Sequence, residues 1–135
     1  MVNIDYNALV LEALKGRESA YVPYSNFKVG AAILTGSGKI YNGCNIENAS
    51  YGATNCAERT AIFKAVSEGE KEIKAIAVVG SLEEYTFPCG ICRQVISEFG
   101  KEDTPIIIAK NENDFNVYRL DEILPGAFTK KDLKK

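Results

Sequence analysis

Cys56-Ala57-Glu58-Arg59-Thr60-Ala61-Ile62-Phe63-Lys64-Ala65-Val66-Ser67-Glu68-Gly69, followed by Ile73-Lys74-Ala75-Ile76-Ala77-Val78-Val79-Gly80, is the stretch that decides the fold. The first part is alanine-rich with helical spacing of its apolar residues, and Gly69 is a natural C-terminal cap. The second is an apolar run of strand length, the mark of a strand covered on both faces. The same unit recurs at Cys89–Phe99, closed by Gly100, and the buried strand Pro105–Ala109. Two helix–strand units in series, after a helix and a strand hairpin, imply a mixed sheet covered by helices. Upstream, Leu9, Val10, Ala13, Leu14 and Arg17 recur at helical spacing over residues 6–20, with Asn3 and Asp5 as cap candidates. Pro23-Tyr24-Ser25-Asn26 reads as a turn into a buried strand, Phe27–Leu34. Gly36-Ser37-Gly38 turns that strand into a second, Lys39–Cys44, and a weaker strand follows at Val117–Leu120. The expected architecture is a three-layer α/β/α domain around a mixed, roughly five-stranded sheet. Residues 1–135 form one domain, ending in a basic tail, 129–135, that reads as solvated and frayed.

Composition narrows the function. Apolar residues make up 46% and charged residues 25% of the 135, a globular balance with enough length for a real core. A formal net charge of -2 argues against a nucleic-acid partner, since neutralising a phosphate backbone takes clustered Lys and Arg. No stretch approaches the ~20 apolar residues of a bilayer span. The N-terminus, Met1-Val2-Asn3-Ile4-Asp5, lacks the basic flank and apolar core of a signal peptide, so the expectation is a cytoplasmic protein. In that reducing setting the four cysteines are thiols or metal ligands rather than disulfides. Histidine is absent, which excludes Ser-His-Asp hydrolysis, Cys-His proteolysis and histidine-bound zinc.

The cysteines carry the chemistry. Cys89 and Cys92, in Pro88-Cys89-Gly90-Ile91-Cys92, open one helix and Cys56 opens another. A Cys-x-x-Cys at a helix start lets two thiolates meet one metal while free N–H groups of the first turn face their sulfurs. The helix dipole lowers the thiol pKa values there. If the two helix starts face each other, three thiolates converge and one tetrahedral position stays free for water, as catalytic zinc requires. Glu58, two residues past Cys56, then lies beside that water. Two rival readings stand: Cys44 could close the site as a fourth, structural thiolate, and Asn55-Cys56-Ala57-Glu58 also has capping-box spacing. Three thiolates on Zn²⁺ leave a formal negative charge that disfavours deprotonating water. Arg59 is therefore expected to contact Cys56 and another ligand and offset it.

These residues resemble the cytidine deaminase family, in its small, homotetrameric three-cysteine zinc form. The resemblance runs from Ala20 to Phe128 through Tyr24–Ala32, Gly43–Tyr51, Cys56–Ala61, Pro88–Gln94 and Leu124–Phe128. It implies one Zn²⁺ per subunit on Cys56, Cys89 and Cys92, and hydrolysis of cytidine and 2′-deoxycytidine to uridine and 2′-deoxyuridine with release of ammonia, in pyrimidine salvage. In that scheme zinc-bound hydroxide attacks C4 and Glu58 shuttles protons. It further implies that Asn45 and Glu47 bind the ribose 3′-hydroxyl, that Phe27 stacks on the pyrimidine, and that Ala57 N–H holds the base O2. The Phe87 carbonyl would accept from the exocyclic amine, and Tyr51 and Phe128 would reach a neighbouring subunit's site. An amide and a carboxylate at i and i+2 of an extended segment do face the same way. A Pro-Gly-Ala-Phe stretch near the C-terminus suits docking between subunits. The alternatives are a deaminase of a cytosine nucleoside antibiotic and a non-catalytic zinc module with Cys44 as fourth ligand.

Overall fold

The computed structural model describes residues 4–133, so the cap candidate Asn3 and the tail residues Lys134 and Lys135 lie outside the described residues. The elements run α1 (Tyr6–Arg17), β1 (Gly30–Thr35), β2 (Ile40–Cys44), a 3-10 turn (Tyr51–Ala53), α2 (Ala57–Ser67), β3 (Ile73–Val79), α3 (Gly90–Phe99), β4 (Pro105–Asn111), β5 (Asp114–Arg119), α4 (Leu120–Ile123) and α5 (Lys130–Leu133). The strands form one mixed sheet in the order β2-β1-β3-β4-β5. Only β3 and β4 are parallel, joined through α3, while β1 pairs antiparallel with β2 and β3, and β4 with β5.

Side chains alternate across this sheet, which makes it the middle of three layers. Ile33, Ile76, Val78, Ile106 and Ile108 pack on one face with Ile62 of α2 and Ile96 of α3. Ala32, Ala75, Ala77, Val79 and Ile107 pack on the other with Leu9, Val10 and Ala13 of α1. The small residues on the second face let α1 lie close to the sheet. Helices α2 and α3 therefore share a face, which brings their N-termini together.

Several boundaries differ from the sequence reading. Helix α1 is capped by Asp5, whose carboxylate accepts from Ala8 N at 3.1 Å. It stops at Arg17 rather than at residue 20, because Glu18, Ser19 and Ala20 donate to carbonyls three residues back and tighten the chain ahead of Pro23. Strand β1 starts at Gly30 rather than Phe27. Over residues 27–29 one backbone bond remains, Asn45 N to the Val29 carbonyl at 3.2 Å, and the Asn45 side chain makes the others, accepting from Val29 N at 2.9 Å and donating to the Phe27 carbonyl at 2.9 Å. Strand β5 begins three residues earlier than expected and exposes most of its side chains, so it carried little apolar signal. Part of the basic tail is ordered: α5 is tied back by Lys130 Nζ donating to the Glu98 carbonyl at 3.3 Å.

Candidate metal centre and active site

Cys56 is the N-cap of α2 and Cys89 the N-cap of α3, both in extended backbone conformation. Neither side chain makes a capping hydrogen bond, so the first-turn N–H groups behind both sulfurs stay free for negative charge. Cys92 lies in the first turn of α3 and is fully buried. The three sulfurs lie within 4.8 Å of one another, and Cys56 Sγ and Cys89 Sγ are 3.7 Å apart. A tetrahedral centre with Zn–S bonds of ~2.3 Å has sulfur–sulfur edges of about 3.8 Å, so the spacing fits one zinc ion. Cys44 does not join the group: it is buried at the end of β2, and burial pushes its thiol pKa up. Among the described residues the cluster therefore offers three protein sulfurs to a metal, with no fourth cysteine or carboxylate in the group.

Proton distribution within the cluster follows from its contacts. Hydrogen bonding from Cys92 first, and then from Arg59, lowers the Cys56 thiol to about 5. Cys92 in turn holds its proton more tightly, because it donates to Cys56 and is desolvated. Arg59 Nη2 donates to Cys56 Sγ at 3.3 Å, and its own pKa is raised by Cys56 and, less strongly, by Cys92. The guanidinium thus faces the sulfurs, and its buried Nε has no partner among the described residues.

Glu58 is only 4% exposed, in the first turn of α2. Desolvation is the main reason its carboxyl rises from 4.5 to about 7, with the Cys56 thiolate adding to it and Cys92 and Arg59 opposing. A carboxyl balanced near neutrality can both take and give a proton. The capping-box reading fails on geometry: Cys56, not Asn55, is the N-cap, and Asn55 N already donates to the Ile46 carbonyl at 2.9 Å.

The other candidates fall into two groups. Asn45 and Glu47 both face the Tyr24–Val29 loop. The Glu47 carboxylate accepts from Tyr24 N, Ser25 N and the Ser25 hydroxyl, and that hydroxyl holds its pKa below the usual range. Glu47 and Tyr51 also line a cavity of about 420 Å³ with Tyr24, Ser25, Asn48 and Thr54. Phe27 is 43% exposed and so is not a core residue. Phe87, just before the Pro88-Cys89 cap, packs on Tyr118 with ring centroids 5.3 Å apart. Phe128 and Tyr51 are exposed, at 61% and 80%. Ala57 N–H, at the first position of α2, has no partner within the helix by position alone. Three supporting residues escaped the sequence reading. Thr60 Oγ1 bonds the Cys44 and Cys56 carbonyls at 2.9 and 3.2 Å, and Gly43 lets α2 touch β2. Arg93 bonds two backbone segments at once. All three sit inside the motifs quoted above, but only packing shows their roles.

An α/β/α domain with an open three-sulfur centre beside a buried carboxyl is the outline of a hydrolytic zinc enzyme. Residues 4–108 match the family model described as the cytidine and deoxycytidylate deaminase zinc-binding region. The cytidine deaminase of Sporosarcina psychrophila is 52% identical over 130 residues, 96% of each chain, and that of Halalkalibacterium halodurans is 51% identical over 96% of this chain and 98% of its own. Among solved structures, cytidine deaminase from Burkholderia pseudomallei superposes with a TM-score of 0.84 at 48% identity, covering 95% of this chain and all of that one. The Mycobacterium tuberculosis enzyme gives 0.83 at 40% identity, over 93% of this chain and 98% of that one. The chain belongs to the cytidine and deoxycytidylate deaminase family. Its mixed five-stranded sheet with helices on both sides is the architecture of those structures.

Proposed function

We propose that this protein hydrolyses cytidine and 2′-deoxycytidine to the corresponding uridines and ammonia, using one Zn²⁺ per subunit on Cys56, Cys89 and Cys92. The observation that carries the reading is the buried Glu58 carboxyl in the first turn of α2, the helix whose cap Cys56 belongs to the three-sulfur cluster. When bound, the zinc supplies Lewis acidity that lowers the pKa of a water. Glu58 takes a proton from the attacking water and passes it to N3, which makes C4 electrophilic. C4 then gains the oxygen. The same carboxyl carries the second proton to the exocyclic amine, which leaves as ammonia. One group acting as base and then as acid suits a chain without histidine. Arg59 withdraws charge from Cys56, offsetting the electron-rich sulfur shell.

Binding capacity supports a sugar site at Asn45 and Glu47. A carboxylate offers about four acceptor positions, and three protein donors use three of those on Glu47. The Asn45 amide likewise has a donor hydrogen and a lone pair to spare beyond its bonds to the 27–29 backbone. Both side chains are held by the loop before any substrate arrives, with one acceptor position on Glu47 and one donor hydrogen and one lone pair on Asn45 left for ribose hydroxyls. The reading extends to Phe27 on the base face, the Ala57 N–H and Phe87 carbonyl on its edges, and Tyr51 and Phe128 completing a neighbour's site in a homotetramer. A soluble cytoplasmic role in pyrimidine salvage fits the three thiols, which need a reducing compartment. No helix among the described residues is long and apolar enough to cross a membrane. The test is an ultraviolet assay on cytidine, deoxycytidine and their phosphates, with zinc measured on the same sample. Full zinc loading without turnover of either nucleoside would sink the proposal.

A further inference from the structure

Arg93 follows Cys92 directly in α3 and is half-buried. Its Nε donates to the Pro88 carbonyl at 2.8 Å, and its Nη1 to the Ile123 carbonyl at 2.7 Å, 30 residues away. The first bond grips the peptide just before the metal-ligand cap Cys89. The second grips the end of α4, where the chain turns into Leu124–Phe128. Gln94, the next residue, adds a third tie by donating to the Phe128 carbonyl at 2.7 Å. Guanidinium geometry matters here, because a planar fork holds two carbonyls at a fixed angle and an ammonium does not.

We propose that Arg93 is a positioning residue, locking the Phe87–Cys89 segment to the C-terminal segment and so setting nucleoside affinity rather than zinc binding. The inference rests on the deaminase reading, in which the Phe87 carbonyl borders the base in this subunit's site and Phe128 reaches a neighbour's. Neither contact of Arg93 involves a cysteine sulfur, and Cys56, Cys89 and Cys92 are set by the first turns of α2 and α3, so zinc content is the control for the substitution. Loss of the clamp frees the Pro88 peptide to rotate, and the Phe87 carbonyl moves with it. The C-terminal segment loses its anchor at the same time.

The experiment compares Arg93→Ala and Arg93→Lys with the full-length wild type for zinc per chain, KM and kcat on cytidine. In Arg93→Ala, KM is expected to rise about 3- to 10-fold, the effect of losing one hydrogen bond to the substrate, with zinc content unchanged and kcat reduced less. Arg93→Lys recovers part of the KM, since an ammonium satisfies one carbonyl at a time. If Arg93→Ala does not fold, Arg93→Lys carries the same comparison, with KM raised at full zinc. An unchanged KM in the folded, zinc-loaded variant overturns the proposal, as does activity lost only in proportion to zinc. Failure of the deaminase reading itself shows separately, as zinc-loaded wild type that does not turn over cytidine.

Discussion

Gly43→Ala tests whether the site depends on how closely α2 approaches the sheet. A Cβ at Gly43 would lie 2.6 Å from Ala61 N, 2.8 Å from the Ala57 carbonyl oxygen and 3.0 Å from Thr60 Cβ. All three belong to α2, whose first turn carries Glu58 and whose cap is Cys56. Strand β2 has little room to retreat, because Gly16 of α1 is packed against its other side, so close that a Cβ there would meet the Gly43 carbonyl oxygen at 2.6 Å. The strain is relieved by moving α2. Reaching the 3.4 Å at which ordinary contact begins takes a shift of about 0.8 Å. Overpacking of this kind costs ~1–3 kcal/mol of stability. A displacement approaching 1 Å at a catalytic group costs up to ~10²-fold in rate. We therefore expect Gly43→Ala to fold, with a lower urea midpoint, and to lose about 10- to 100-fold in kcat/KM per bound zinc. Gly16→Ala is the control: it strains the same crossing from the other side, displaces α1, and should lower stability with a much smaller effect on turnover. The reasoning is refuted if Gly43→Ala keeps full kcat/KM despite its lost stability, or if both variants lose activity in equal proportion.

Glu58→Gln should retain zinc, by metal analysis, yet lose at least about 10⁴-fold in turnover, since one carboxyl serves two proton transfers. In the zinc-free, reduced protein the same substitution should stabilise the fold at alkaline pH. With the Glu58 carboxyl raised from 4.5 to about 7, its stability contribution is complete below 4.5 and is lost as pH rises through 7. Urea titrations should thus show little difference between Gln and wild type at pH 4.5, and a gap of about 3 kcal/mol favouring Gln by pH 8. A gap that does not change with pH would contradict this. Arg59→Gln should weaken zinc retention about 10- to 100-fold in chelator competition and slow turnover, and unchanged values for both would remove its proposed role. Cys44→Ala should keep wild-type zinc content and activity, whereas loss of zinc would restore the closed four-thiolate site.

Much of the layered architecture could be read from the sequence because each element kept its own period. The runs at Ile73–Val79 and Ile106–Ala109 are buried on both faces, which only strands in the middle of a covered sheet achieve. The start of β1 was not legible, because residues 27–29 are tied mainly by the side chain of a residue 16 to 18 positions later, Asn45. Edge strand β5 was legible only in part, since an exposed edge needs no apolar alternation. Gly43 has negative φ, so no turn signal marks it. Its need for hydrogen at Cα comes from two helices meeting on opposite sides of one strand, a tertiary fact. Arg93 likewise reads as an ordinary helical arginine until Ile123 is brought beside it.

The three-cysteine cluster was legible for a reason that local propensity makes plain. Helix N-caps favour Ser, Thr, Asp or Asn, and giving up that side-chain bond costs ~1 kcal/mol. Helix α1 obeys the rule with Asp5, while α2 and α3 place cysteine there and make no cap bond. Stability is thus forgone twice, at two helix ends that share one face of the sheet. Glu58 adds a third cost, a carboxyl buried without a salt bridge among the described residues. Each choice alone reads as a small flaw. Together they place three sulfurs and a carboxyl near orphan N–H groups, an electrostatic setting that suits a cation and a reacting water. The cluster could be found from sequence because cysteines stand at two helix starts where α1, by contrast, carries a capping aspartate.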